Sequence, residues 1–224
     1  MVGLLTLVML AGCDGALSTM HPAGPAAATI ATMWWTLLFG AAVIFLLVVA
    51  LLILAFRRRP ELATPEAETG HERIWIWGLG LGFSMTVLAA LTVYGLLIGE
   101  RLLPRPRPEV VTVGAEGAQW VWRFSYDDTP GHMTEGVLHI PAGRPVDVKI
   151  TSADVIHSFW VPRLAGKLDA IPGHVNVLRI EADMPGDYAG LGAEFNGGGY
   201  TGHGFTVRAH DEAGWDAFLR GESP

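Results

Sequence analysis

Two stretches without a single charge, Met33 to Phe56 and Ile74 to Gly99, constrain this chain more than any other feature. At roughly 1.5 Å per residue, each is long enough as a helix to cross a hydrocarbon core of about 30 Å. Trp34 and Trp35 open the first stretch, Trp75 and Trp77 open the second, and Tyr94 stands near its end. Rings of this kind settle at membrane interfaces. The composition agrees, with 50% hydrophobic and only 17% charged residues, too apolar for an ordinary soluble domain. The formal charge of -7 offers no basic stripe, which argues against a nucleic-acid partner.

The one cysteine, Cys13, ends Leu10-Ala11-Gly12-Cys13 after an apolar run from Val2. Small residues before a cysteine in that setting form a bacterial lipoprotein signal, cut so that the cysteine becomes the acylated first residue. The alternative is a buried thiol at a helix edge, and no Lys or Arg precedes the run. With Cys13 lipidated, no disulfide can form within the chain. The expected division is a signal peptide over 1–12, an outer tail over 13–32, a membrane helix over 33–57, a cytoplasmic loop over 58–73 and a second membrane helix over 74–100. An outer domain over 104–210 and a tail with a short helix over 211–224 follow.

Direction comes from the lipid. Arg57-Arg58-Arg59 mark a cytoplasmic flank, although Arg101, Arg105 and Arg107 compete with them. A lipidated Cys13 must lie outside, so the loop is inside and everything after Leu103 is outside. The expected place is the bacterial cytoplasmic membrane, crossed twice, with the C-terminal domain on the periplasmic side.

Pro104-Arg105-Pro106-Arg107-Pro108 cannot hold a helix and forms a stiff boundary. Beyond it the pattern is of short strands separated by Gly and Pro. Trp120, Trp122, Phe124 and Tyr126 are spaced two apart, Val146, Val148 and Ile150 alternate with polar neighbours, and Val177-Leu178-Arg179-Ile180 reads as a further strand. Turn signals recur at Pro130-Gly131, Pro141-Ala142-Gly143, Pro172-Gly173 and Pro185-Gly186. The fold expected is a two-helix transmembrane hairpin followed by a Greek-key β-sandwich or barrel. Trp215, Phe218 and Leu219 predict a short amphipathic helix over Glu212 to Arg220.

Three ordered segments carry a family likeness: Asp154-Val155-Ile156-His157-Ser158-Phe159-Trp160-Val161-Pro162, Asp169-Ala170-Ile171-Pro172-Gly173 and Pro185-Gly186-Asp187-Tyr188-Ala189-Gly190. With the two spans, the chain resembles subunit II of haem–copper terminal oxidases, and its outer domain resembles their cupredoxin domain. In the cytochrome c oxidases of that family an upstream His joins a C-x-E-x-C-G-x-x-H-x-x-M segment to hold a binuclear copper centre. Aligned without a gap, this chain has His157 upstream, then Gly192, Glu194, Asn196, Gly197, Tyr200 and His203. Both cysteines, the second His and the Met are missing. Two bridging thiolates cannot be replaced by a glycine and a hard amide, so the binuclear centre is expected to be absent.

The pattern is similar to the copper-less subunit II of cytochrome bo-type quinol oxidases. That resemblance implies a non-catalytic subunit of an enzyme that reduces dioxygen and translocates protons, with haem and copper in subunit I, quinol reached through subunit I, and subunits III and IV as further partners. It implies no cofactor on this chain, apart from magnesium at the subunit I interface if Glu194 reaches it. It also implies that Glu72, in Glu72-Arg73-Ile74-Trp75, takes up protons at the cytoplasmic edge, where charged residues are otherwise common interfacial groups. Gln119-Trp120-Val121-Trp122 resembles the strand that receives electrons in copper-containing relatives; without copper, Trp120 and Trp122 read as structural. His157 and His203 could meet with Glu194 around a mononuclear zinc or copper, or serve as hydrogen-bonded structural groups. Two other functions stand beside this one: a cytochrome c oxidase subunit receiving electrons without copper, and a free-standing metal-binding lipoprotein.

Overall fold

A computed structural model describes residues 15–57, 72–106 and 108–222. Cys13, the segment expected to be a signal peptide and most of the loop between the helices lie outside the described residues. The described residues form a helical unit within Met33–Arg101 and an outer unit built from those up to Thr32 together with those from Leu102 onward.

Helix α1 is Pro25–Arg57 and helix α2 is Arg73–Leu102; both are long and apolar enough to cross a membrane. Phe39, Phe45, Leu46 and Leu96 stand exposed along them, a surface suited to lipid or partner helices and not to water. Helix α2 opens as a π-helix over Arg73–Phe83, with Glu72 at its N-cap, and continues as α-helix from Ser84. Glu72 spends no side-chain bond on capping that helix.

The sequence predicts an outer tail as far as residue 32, whereas α1 already begins at Pro25. Proline suits a first helical position, where its missing N–H is not needed. The early turns are alanine-rich for a reason other than lipid: Ala27 and Ala31 are buried in the outer unit. Ala23 N donates to the Arg163 carbonyl at 2.8 Å, Asp183 N to the Ala23 carbonyl at 2.9 Å, and Ala27 N to the Leu164 carbonyl at 3.2 Å. Arg163 Nε donates to the His21 carbonyl at 2.9 Å. A Cβ on Gly24 would overlap the Glu181 carbonyl, so glycine alone permits this close approach.

The outer unit is a sandwich of two five-stranded sheets. The strands are β1 Val111–Ala118, β2 Val121–Tyr126, β3 Met133–Glu135, β4 Val137–Pro141, β5 Val146–Ser152, β6 His157–Trp160, β7 Lys167–Ala170, β8 Asn176–Ile180, β9 Gly186–Gly192 and β10 Gly204–His210. One sheet runs β3-β2-β1-β5-β8 and the other β4-β10-β9-β6-β7. Pairings are antiparallel except β1 with β5 and β4 with β10. Alternation dictates the inner faces: Val111, Val113 and Ala115 of β1, Trp122, Phe124 and Tyr126 of β2, and Val146, Val148 and Ile150 of β5 are all buried. Trp120 breaks its expected period, because the strand starts one residue later and the ring is 44% exposed.

Helix α3, Glu212–Leu219, closes the far end of the chain, with Asp211 Oδ1 accepting from Gly214 N at 2.8 Å as its N-cap. Its buried face is Trp215 and Phe218. Phe218 lies on the rings of His139, at 4.3 Å and 6°, and His132, at 4.7 Å and 29°. His139 Nδ1 in turn sits 2.7 Å from His210 Nε2.

Candidate functional site

At one end of the sandwich, β6 delivers His157 and the β9–β10 connection delivers Asn196 and His203, all three buried. Backbone bonds hold that connection in place: Gly192 N donates to the His203 carbonyl at 2.7 Å and Ala193 N to the Ser158 carbonyl at 2.8 Å. Trp122 forms the floor, stacked on His203 at 5.3 Å and 15°, with the edges of His157 and Phe159 against it.

The orientation of the Asn196 amide follows from its neighbours. Trp120 Nε1 can only donate, and it lies 3.0 Å from Asn196 Oδ1. The amide nitrogen therefore faces the histidines, 2.6 Å from His157 Nδ1 and 3.3 Å from His203 Nδ1. Both Nδ1 atoms act as acceptors, which leaves each ring its proton on Nε2. For His157 that proton goes to Asp154 Oδ1 at 2.7 Å. Gln119 completes the junction: its backbone N donates to Asp154 Oδ2 at 2.8 Å, and its side-chain amide donates to the Asn196 carbonyl at 2.6 Å.

Electrostatics follow the same bonds. Burial alone would raise the Asp154 pKa, but hydrogen bonds from His157, Val155 and Gln119 outweigh it and hold the carboxyl at about 2. Burial lowers the pKa of His203, partly countered by the Val121 carbonyl. A carboxylate that stays charged and a histidine that resists charging make a junction built to keep one protonation pattern.

These residues do not fit a binuclear copper centre. Gly192 has no side chain, and a Cβ there would lie 2.5 Å from His203 Nδ1, so the His203 ring occupies the place a thiolate would need. Asn196 stands where the second thiolate would stand and gives hydrogens to the lone pairs a metal would take. Glu194 does not join the two histidines: its Oε1 accepts from the adjacent Phe195 N at 3.0 Å. Tyr200 is turned outward, its ring 5.1 Å from that of Phe195. Among the described residues no group of three or more His, Cys, Asp or Glu side chains is arranged to hold a metal.

Around the junction the surface is apolar. Trp120, Ile156, Phe195 and Tyr200 are exposed, and a cleft of about 510 Å³ is lined by Val155, Ile156, Asp169, Glu194, Phe195, Asn196 and Gly197. Glu72 belongs to the helical unit and is exposed. Sequence reasoning treats Asn196 only as a lost ligand and gives Asp154 and Gln119 no role. The signal for Asp154 is its place three residues before His157 in a turn; nothing local announces Gln119.

Residues 132–208 match the family described as cytochrome c oxidase subunit II, periplasmic domain. The chain is 32% identical over 222 residues to quinol oxidase subunit 2 of Bacillus cereus, covering 96% of this chain and 76% of that protein. Cytochrome c oxidase subunit 2 of Alkalihalophilus pseudofirmus is 32% identical over 172 residues, 75% of this chain and 50% of that protein. Among solved structures, the periplasmic domain of subunit II of cytochrome oxidase of Bradyrhizobium japonicum matches 52% of this chain and 94% of that one, at 24% identity and a TM-score of 0.49.

Proposed function

Because the chain belongs to the family of subunit II of haem–copper terminal oxidases, of the quinol-oxidase type, we propose that it serves a quinol:oxygen oxidoreductase as a non-catalytic subunit. Haem, copper and the quinol site belong to subunit I on this reading, and subunits III and IV complete the complex. The observation that carries it is the Asn196 amide between His157 and His203, where copper-containing relatives need a thiolate. Without a metal relay on this chain, a soluble donor has no landing place for its electron. The assembled complex is therefore expected to oxidise quinol and to show less than about one hundredth of that rate with reduced cytochrome c. Steady-state oxygen consumption with each donor measures it; equal turnover with cytochrome c would overturn the reading in favour of the cytochrome c oxidases that also match this chain.

The subunit is a membrane protein with an external C-terminal domain. Its finer placement in a bacterial cytoplasmic membrane, with lipid on Cys13, belongs to the proposal; the mass of the mature amino terminus tests it. The apolar rim of Trp120, Ile156, Phe195 and Tyr200 supports docking of the outer domain on subunit I. Glu194 borders the same cleft and supplies a hard carboxylate ligand to an interface magnesium whose other ligands come from the partner.

Glu72 is assigned proton uptake at the cytoplasmic edge of α2. Its carboxylate is exposed and uncommitted to helix capping. Glu72→Ala is expected to lower quinol-driven turnover at least tenfold with unchanged haem content, and Glu72→Asp to retain part of it. Wild-type turnover in Glu72→Ala would remove the assignment.

A further inference from the structure

Three separate parts of the outer domain converge on one side-chain amide: the Gln119–Trp120 turn, the Asp154–His157 turn and strand, and the connection carrying Asn196 and His203. A metal bound between two histidines does two things there, tying the segments together and satisfying both imidazole lone pairs. The Asn196 amide does both without a metal. Its nitrogen has two hydrogens and two acceptors, His157 Nδ1 at 2.6 Å and His203 Nδ1 at 3.3 Å. Its oxygen accepts from Trp120 Nε1, and its backbone carbonyl accepts from Gln119. The amide cannot turn over, because that would set two donors against each other at Trp120 and an oxygen against two lone pairs at the histidines.

The surroundings offer a cation nothing in return. Asp154 is spent on the opposite nitrogen of His157, and Glu194 does not join the histidines, its Oε1 accepting from Phe195 N. Nor can a side chain come from Gly192. We infer that Asn196 is a non-metallic cross-link that closes this pocket to transition metals, and that exchanging its one donor nitrogen for an acceptor opens a mononuclear site. The cation taken would be a borderline divalent ion such as zinc, which accepts two imidazole nitrogens and a carboxylate oxygen. In Asn196→Asp an oxygen replaces the nitrogen, three sets of lone pairs face one another, and a cation relieves them. This inference rests on the copper-less reading above, but its readout is metal content and not turnover.

The test uses the full chain in the assembled, detergent-solubilised oxidase, incubated with zinc chloride, passed through a weak chelator, and counted by inductively coupled plasma mass spectrometry. Wild type and His203→Gln are expected to carry the same zinc count. Asn196→Asp is expected to carry one equivalent more, and Asn196→Asp/His203→Gln to lose it again. Asn196→His, which brings a third neutral ligand, should gain the same equivalent. Zinc that is present in the wild type and vanishes in His203→Gln would overturn the closure, whatever the variants do. An unchanged count in folded Asn196→Asp or Asn196→His would overturn the latent site. Failure of the wild-type complex to oxidise quinol would instead strike the functional reading and leave the zinc result standing.

Discussion

Trp122→Ala is expected to destabilise the outer domain by about 3–5 kcal/mol and to lower its melting temperature by about 10–20 °C. The ring is fully buried and contacts His157, Phe159, His203 and Phe205, so its loss leaves a cavity under both histidines that the rigid strands β2 and β6 cannot fill. Trp120→Ala, two residues away, removes a half-exposed ring and one hydrogen bond to Asn196, and is expected to cost about 1–2 kcal/mol. Thermal melts of the detergent-solubilised protein, followed by tryptophan fluorescence and circular dichroism, separate the two. Equal losses would show that Trp122 is not the support of the junction.

The second large effect is a loss of stability in mild acid. Burial pushes the His139 pKa down to about 4, helped by His210, Arg208 and His132 and opposed by Asp187. His210 is lowered too, by burial and then Arg208, against Asp211 and Asp187. The folded state therefore binds fewer protons than the unfolded chain. The stability supplied by the neutral histidines is complete above the ordinary histidine range and drains as pH falls from about 6.5 through about 4. For His139, which is 9% exposed, the integrated loss is about 3 kcal/mol. The stack of His139 on Phe218 places the damage at α3. His139→Gln, which keeps a polar partner for His210 but does not titrate, should flatten the pH dependence of the urea midpoint over that window. An unchanged slope in the variant would exclude the pair as its source.

How much of this was legible in the sequence depends on the range of the physics involved. The membrane spans were readable because hydrophobicity over a helix length is a sum of local terms, and the inner faces of β1, β2 and β5 because their period of two is local as well. The start of α1 was not, since Pro25 to Ala31 are short of lipid hydrophobicity and find their partners far along the chain, Ala27 N at the Leu164 carbonyl and Ile30 beside Gly166. Trp120 was misplaced for a related reason. Its aromatic spacing continues that of Trp122 and Phe124, but its indole is held outside the strand by Asn196. The loss of copper ligands could be read residue by residue at Gly192 and Asn196. That the asparagine replaces a coordinate bond by two hydrogen bonds could not, because the replacement exists only where three distant segments meet. The same holds for His132, His139 and His210, which carry no common motif and gather only around Phe218.

The strap formed by His21 to Ala31 gives the molecule an order in time. These residues are made before their partners, since Arg163, Leu164 and Asp183 come after both membrane helices and most of the strands. The contacts of this segment with Arg163, Leu164 and Asp183 therefore cannot form until those later residues have been made. Long-range closure of this kind is slow and comes late, so a segment made before its partners is among the last to find its place.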